Sequence, residues 1–252
     1  SYPAVVPGAG LQFPQDEGAH PEFRIEWWYV TGWVQDERGA PLGFQVTFFR
    51  VRPGLGETNP SRFAPRQVLF GHAAVADPAL GRLRHAERSA RDGFELAFAR
   101  EGSVDVRLDD WSLRQDGDRY RAVVHGDDFS LQLDLDRGAP PLLQGDRGFS
   151  RKGPSEASAS SSGSSALSSA NRSPNSASPS PTVWLSDAET STASSASSAC
   201  FRSSWAASSS GQLERSERSG AAERSSNRFS ASRQRFTKQI RYAGGYEDQV
   251  PP

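Results

Sequence analysis

Apolar and polar positions alternate along the first half of the chain, with the two-residue period of β-strands. The segment 26–34 carries large apolar groups on both faces, and 42–50 alternates after a turn signal at 36–39. Further candidate strands cover 68–77, 94–98, 104–113, 120–125 and 129–135. No segment has a convincing helical period over ten residues. The pattern therefore predicts an all-β antiparallel barrel or sandwich with at most a short helix.

This pattern stops abruptly after Pro154. Residues 1–154 hold 7 serines, whereas residues 155–252 hold 30 and no histidine. Serine and alanine bury too little apolar surface to offset chain entropy, so the composition predicts a low-complexity, disordered tail over 155–252. A natural serine-rich linker and a reading-frame slip near residue 154 both account for the break. We favour the slip, because it also explains the sudden loss of histidine and aspartate.

Composition narrows the class of protein only slightly. The chain has 252 residues and a formal net charge of −1, so it lacks the excess of positive charge that is typical of nucleic-acid-binding proteins. No apolar run approaches the length of a membrane-spanning helix. The chain begins at Ser1 and contains no methionine, so we expect a mature chain or a fragment. One cysteine, Cys200, excludes an internal disulfide.

The stretch RIEWWYVTGW, residues 24–33, holds three of the six tryptophans around a carboxylate. Two interpretations stay open: aromatic side chains that plug a barrel core, or a pocket that combines apolar walls with a few polar groups. Strand alternation predicts Trp27 and Tyr29 on one face and Trp28 on the other, as structural core. We expect an arginine, Arg24 or Arg50, to pair with Glu26.

Five motifs in order resemble a known family. They are YPAVVPG (2–8), LQFPQDEGAHPEFRIEWWYVTGWV (11–34), GFQVTFFR (43–50), GHAAVAD (71–77) and GDRGFSRKGP (145–154). Together they resemble the AttH/CrtC group, the acyclic carotenoid 1,2-hydratase-like proteins. The resemblance covers residues 1–154, as a first domain, and essentially none of residues 155–252.

The resemblance implies a lipocalin-like barrel or half-barrel, the first of two domains, around an apolar small-molecule ligand. It implies a hydratase or isomerase that acts on an unsaturated, isoprenoid- or polyketide-like substrate, with no metal and no organic cofactor. In that chemistry a buried carboxylic acid protonates an alkene, aromatic faces stabilise the carbocation, and water captures it. It further implies export to the bacterial periplasm or outer envelope. Two alternatives are a non-catalytic carrier of a hydrophobic molecule and an inactive fragment.

Carried over by resemblance, the predicted substrate-binding residues are Glu26, Trp27, Trp28, Tyr29, Gln45, Thr47, Phe49, Arg50 and His72. The family's principal acid is an aspartate in the second domain, in a tract that this sequence lacks. Asp187 has the wrong spacing for that role, so the catalytic residues remain unassigned. His20 is either a partner that orients Glu26 or an exposed loop residue. The aspartates at 105, 109 and 110 are predicted to form a solvated strand face, and no cluster has metal-ligand spacing.

Overall fold

The computed structural model describes residues 2–8, 10–35, 40–151, 158–169, 182–185, 225–228 and 230–243. Helical structure among these residues is limited to one 3-10 turn, Gln15–Glu17. The strands, in chain order, are β1 (Ile25–Gln35), β2 (Pro41–Val51), β3 (Val68–Asp77), β4 (Arg82–Arg91), β5 (Ala97–Ala99), β6 (Asp105–Leu108), β7 (Trp111–Asp116), β8 (Arg119–His125), β9 (Phe129–Arg137), β10 (Leu142–Leu143), β11 (Phe149–Arg151), β12 (Ser158–Ser169), β13 (Thr182–Leu185), β14 (Ser225–Arg228) and β15 (Ser230–Ala243). No helix in the described part of the chain has the length and apolar character to cross a membrane.

The described strands form one antiparallel sheet. Its order is β4-β3-β2-β1-β15-β12-β9-β8-β7-β6-β5, with β10 and β11 paired to β12, and β13 paired to β9 and β14. The sheet curls, so that side chains from β1–β3 and from β6–β9 meet in a single hydrophobic core. This curled half-barrel confirms the all-β, lipocalin-like prediction.

Close packing in this core depends on a glycine in β3. A Cβ atom added to Gly71 would lie 2.9 Å from side-chain atoms of both Leu108 and Trp111. The Trp111 ring also packs edge-on against Phe48, with ring centroids 6.4 Å apart. The two halves of the curled sheet therefore approach closely at the point where the β3 backbone has no side chain.

Several predicted strand boundaries need correction. Strand β3 has the predicted bounds, whereas 104–113 is divided into β6 and β7 by a turn in which Asp109 has φ 58°. Aspartate tolerates this left-handed conformation, so residues 109 and 110 form a turn and not a strand face. Strand β4 was not predicted, because its sequence RLRHAERSAR lacks the alternating large apolar residues that identify the other strands. Its arginines and small residues suit a half-exposed strand at the edge of the sheet. The predicted turn at 36–39 lies outside the described residues.

Part of the serine-rich tail differs from the predicted disorder. Strand β12 is hydrogen-bonded to β15 along one side and to β9, β10 and β11 along the other. A central strand needs backbone partners more than large side chains, and small residues let its neighbours approach closely. At Gly163 an added Cβ atom would lie 2.3 Å from the ring of Phe13. The segments 170–181, 186–224 and 244–252 lie outside the described residues, so disorder there and a frame slip remain predictions.

Candidate functional site

The aromatic stretch of β1 divides its side chains between two faces of the sheet. Trp28 is 0% exposed and belongs to the hydrophobic core, and Glu26 is also 0% exposed. Trp27 and Tyr29 point to the opposite face, where both are half-buried. The predicted alternation is confirmed, so the predicted site residues cannot all line one pocket.

Six of the predicted residues share the face opposite the core, which we call the aromatic–polar face. Its members are Trp27, Tyr29, Gln45, Thr47, Phe49 and His72. The antiparallel register places Trp27 opposite Phe49, and Tyr29 opposite Thr47, which in turn is opposite His72. Paired residues on neighbouring strands point to the same side of a sheet. The face therefore spans β1, β2 and β3 without a break.

Ring contacts connect the aromatic side chains of this face. The Trp27 and Phe49 centroids are 6.1 Å apart and tilted by 39°. Phe49 meets the His72 ring at 5.4 Å in an edge arrangement. Such spacings are typical of favourable aromatic pairs. The rings form a connected apolar surface that remains partly accessible.

A short polar row lies beside these rings. The Gln45 side-chain amide donates a hydrogen bond to the Thr47 hydroxyl at 3.3 Å. Thr47 is 4% exposed, whereas Gln45 and Tyr29 are half-buried. Sequence reasoning missed Phe70, which the register places opposite Phe49 on the same face. The two-residue alternation from His72 could have identified it.

Glu26 and Arg50 do not belong to this face, because they form a buried ion pair on the core side. The Arg50 Nε–H donates to Glu26 Oε1 at 2.5 Å, and the two side chains are 1% and 0% exposed. Arg50 Nη2 also donates to the backbone carbonyls of His20 at 2.9 Å and Phe23 at 2.8 Å. The predicted arginine pairing of Glu26 is confirmed. The pair binds the loop that precedes β1 onto the end of the half-barrel.

His20 completes this anchor from the loop side. Its backbone N–H donates to Glu26 Oε1 at 2.8 Å, and its Nδ1 lies 3.4 Å from Glu26 Oε2. Its Nε2 lies 3.1 Å from Asp16 Oδ1. Of the two alternatives left open for His20, these contacts support the partner that orients Glu26. Glu26 is therefore a positioning group in this structure, with both carboxylate oxygens occupied by protein partners.

A second buried carboxylate, Glu17, binds the 3-10 turn to the core. Its backbone carbonyl accepts the Trp28 indole N–H at 2.7 Å. Its carboxylate accepts the Tyr120 hydroxyl at 2.7 Å and Arg137 Nη2 at 2.7 and 2.6 Å. Burial, followed by the charge of Glu17, raises the pKa of the Tyr120 hydroxyl well above its usual value. No local motif connects residues so distant in sequence, so this cluster was not predicted.

These contacts restrict which of the described side chains could donate a proton or bind a metal ion. The carboxylates of Glu17 and Glu26 are both engaged with arginines. Among the residues that the structure describes, no group of three or more His, Cys, Asp or Glu could hold a metal ion. Asp187 lies outside the described residues. On the face opposite the core, β1–β3 contribute an aromatic surface and the hydrogen-bonding groups of Tyr29, Gln45, Thr47 and His72.

Comparison with known proteins agrees with this architecture. The AttH-like family model matches residues 4–170, which extends past the predicted boundary at 154. A crystal structure of an AttH candidate from Nitrosomonas europaea is 35% identical, with a TM-score of 0.65, and the match covers 97% of this chain and 59% of that protein. Kievitone hydratase from Nectria haematococca aligns at 7% identity and a TM-score of 0.48, covering 98% of this chain and 56% of that one. No curated protein matches the chain.

Proposed function

The chain belongs to the AttH-like family, and from that premise we propose that its aromatic–polar face binds an apolar, unsaturated small molecule of the isoprenoid or polyketide-like class. We propose that the complete protein is a cofactor-independent hydratase or isomerase. The observation that carries this proposal is the accessible row of Trp27, Phe49 and His72 on the sheet face opposite a complete core. If these rings served only to fill a hydrophobic core, they would be fully buried, whereas all three are half-buried.

The chemistry of the face suits a planar apolar ligand. A polyene laid along Trp27 and Phe49 would remove apolar surface from water, at about 25 cal/mol per Å². Indole and phenyl faces attract a cation in a desolvated site, so they would stabilise a carbocation formed from an alkene. The Gln45 amide and the hydroxyls of Tyr29 and Thr47 would orient a polar substituent or the attacking water.

Hydration also requires a proton donor. A carboxylic acid would transfer its proton to one alkene carbon, water would add to the cationic carbon, and a proton would return to the carboxylate. Glu26 is unsuited to that role, because Arg50 and the His20 backbone bind its Oε1 and the His20 ring contacts its Oε2. The chain spans 59% of the length of the Nitrosomonas relative. We therefore propose that the acid comes from a part of the protein outside the described residues.

A non-catalytic carrier is the second candidate function. It is favoured by one specific observation: the buried carboxylates Glu17 and Glu26 are both engaged by arginines. The face would then bind an apolar molecule without using either of them as an acid. Formation of a hydrated product from a bound polyene would distinguish the hydratase from the carrier.

A binding experiment with retinol, an apolar polyene alcohol, tests the shared part of both proposals. We expect Trp27→Ala to weaken retinol binding by roughly tenfold, since about 1–2 kcal/mol of apolar contact is lost. Trp28→Phe is the matched control, because Trp28 faces the core and should change stability but not affinity. Full retinol binding by a folded Trp27→Ala protein would show that the aromatic–polar face is not the binding surface.

A further inference from the structure

Two loops at one end of the sheet carry exposed phenylalanines that touch each other. Phe63, in the loop between β2 and β3, is 63% exposed, and Phe94, in the turn between β4 and β5, is 46% exposed. Their ring centroids are 5.2 Å apart with a tilt of 35°. The two loops meet because the ends of β2, β3 and β4 are aligned, with Val51 opposite Val68 and Val68 opposite Arg91. Both rings therefore remain largely accessible to solvent despite the contact.

Two arginines flank these rings. The Arg91 guanidinium lies 4.9 Å from the Phe63 centroid and 5.6 Å from that of Phe94. Arg62 lies 5.2 Å from the Phe94 centroid. We call Arg62, Phe63, Arg91 and Phe94 the Arg–Phe patch. Within the described residues, neither arginine forms an ion pair with a carboxylate, so the patch has two positive charges beside two apolar rings.

Nearby acidic residues do not neutralise this charge. Glu57, in the first loop, accepts a hydrogen bond from Arg52 at 2.7 Å. Glu95, beside Phe94, pairs with Arg100 at 3.0 Å. Each of these carboxylates already has an arginine partner outside the patch. Asp92, next to Arg91, accepts the Gln67 backbone N–H at 3.2 Å. The local balance stays positive, because the arginines at 52, 62, 66, 91 and 100 outnumber the carboxylates at 57, 92 and 95.

The backbone presents Phe94 in a conformation that a phenylalanine rarely adopts. Phe94 and Glu95 have φ angles of 56° and 58°, in the left-handed region. Glycine and asparagine are preferred there, and a bulky side chain is strained. Burial does not compensate for this strain, because the ring is exposed. The turn therefore holds an aromatic ring in solvent at a strained backbone position, and strained positions are frequent at sites of contact with other molecules.

We propose that the Arg–Phe patch docks on an anionic phospholipid surface. Aromatic rings insert at headgroup depth while guanidinium groups bind lipid phosphates, and the patch combines exposed rings with two arginines. Leu55 and Leu96, on the same two loops, are 63% and 55% exposed and extend the apolar area. The positive charges of Arg62 and Arg91 complement an anionic headgroup layer, and the exposed rings beside them suit its boundary with the acyl chains. This docking would bring the protein to the phase in which apolar substrates dissolve.

Co-sedimentation of the full chain with vesicles tests the proposal. We expect binding to vesicles of equal parts phosphatidylcholine and phosphatidylglycerol, weaker binding to phosphatidylcholine alone, and loss of binding at high salt. Phe94→Asn removes the ring and suits the left-handed turn, so it should leave folding intact and weaken vesicle binding by roughly tenfold. Arg91→Gln should weaken binding to acidic vesicles about fivefold.

The matched control is Leu142→Ser, which removes an exposed apolar side chain, 73% exposed, elsewhere on the surface. It should bind vesicles like the wild type. Equal vesicle binding by wild type and Phe94→Asn, or no vesicle binding at all, would overturn the proposal. Binding of soluble polyglutamate that depends on Phe94, without vesicle binding, would instead assign the patch to an acidic protein partner. Retinol binding is measured separately, so failure here leaves the aromatic–polar face untouched.

Discussion

Replacing Glu26 with glutamine should destabilise the protein without affecting the aromatic–polar face, which we propose as the binding surface. The change removes the negative charge but leaves Arg50 buried, with a side chain only 1% exposed. Breaking a buried ion pair from one side costs about 3–5 kcal/mol. Arg50 would keep its hydrogen bonds to the carbonyls of His20 and Phe23. We therefore expect a loss of about 3 kcal/mol in the free energy of unfolding, at the lower end of that range.

Urea unfolding followed by tryptophan fluorescence measures this loss, provided that the denaturant slope stays constant. The control is Glu57→Gln, which breaks an ion pair of similar length, 2.7 Å, between side chains that are 33% and 43% exposed. Exposed pairs contribute at most about 1 kcal/mol, so the control should stay close to wild type. Similar losses for Glu26→Gln and Glu57→Gln would refute the reasoning. Retinol affinity should change little in either variant.

Two further predictions concern the N-terminal turn and its anchor. Gly18→Ala should destabilise the protein by about 1–3 kcal/mol, because the added Cβ atom would lie 2.3 Å from the backbone nitrogen of Gly102. Thermal unfolding measures this loss. The neutral control is Gly10→Ala, whose added Cβ atom would meet nothing within 4 Å. Because folding raises the pKa of Tyr120, the protonated hydroxyl contributes its full stabilisation below about pH 10, the usual tyrosine pKa. This contribution is lost as the pH rises from there towards the pKa of the folded state. Tyr120→Phe should therefore show a shallower alkaline decline of unfolding free energy, and an unchanged slope would contradict the assignment.

Local alternation made much of the fold and part of the site predictable. Strand β3 has the predicted bounds, Trp28 lies in the core, and Trp27 with Tyr29 lies on the other face. Each of these outcomes depends only on neighbouring residues and the two-residue period. The pairing of Glu26 was also predictable, because a buried carboxylate requires a positively charged or hydrogen-bonding partner.

Contacts between distant residues were not predictable from local patterns. Glu17 bonds to Tyr120, 103 residues away, and Arg137 joins the same cluster from β9. Glu17 and Arg137 alone resemble exposed polar residues of a turn or a strand end, and Tyr120 alone resembles an ordinary residue of a strand. Strand β12 illustrates a related limit: its serines predict disorder by composition, while its position between paired strands supplies backbone hydrogen bonds that composition does not encode.

Along the four residues from Glu26 to Tyr29, every second side chain anchors the fold, and the side chains between them lie on the proposed binding surface. Glu26 and Trp28 bind the preceding loop and the 3-10 turn to the end of the half-barrel, through Arg50 and the Glu17 carbonyl. The intervening Trp27 and Tyr29 are held by the same backbone. A binding surface built on a strand whose other face is fully packed loses little conformational entropy when a ligand binds. Substitutions along this stretch should therefore alternate in effect, with stability changing at 26 and 28 and ligand affinity changing at 27 and 29.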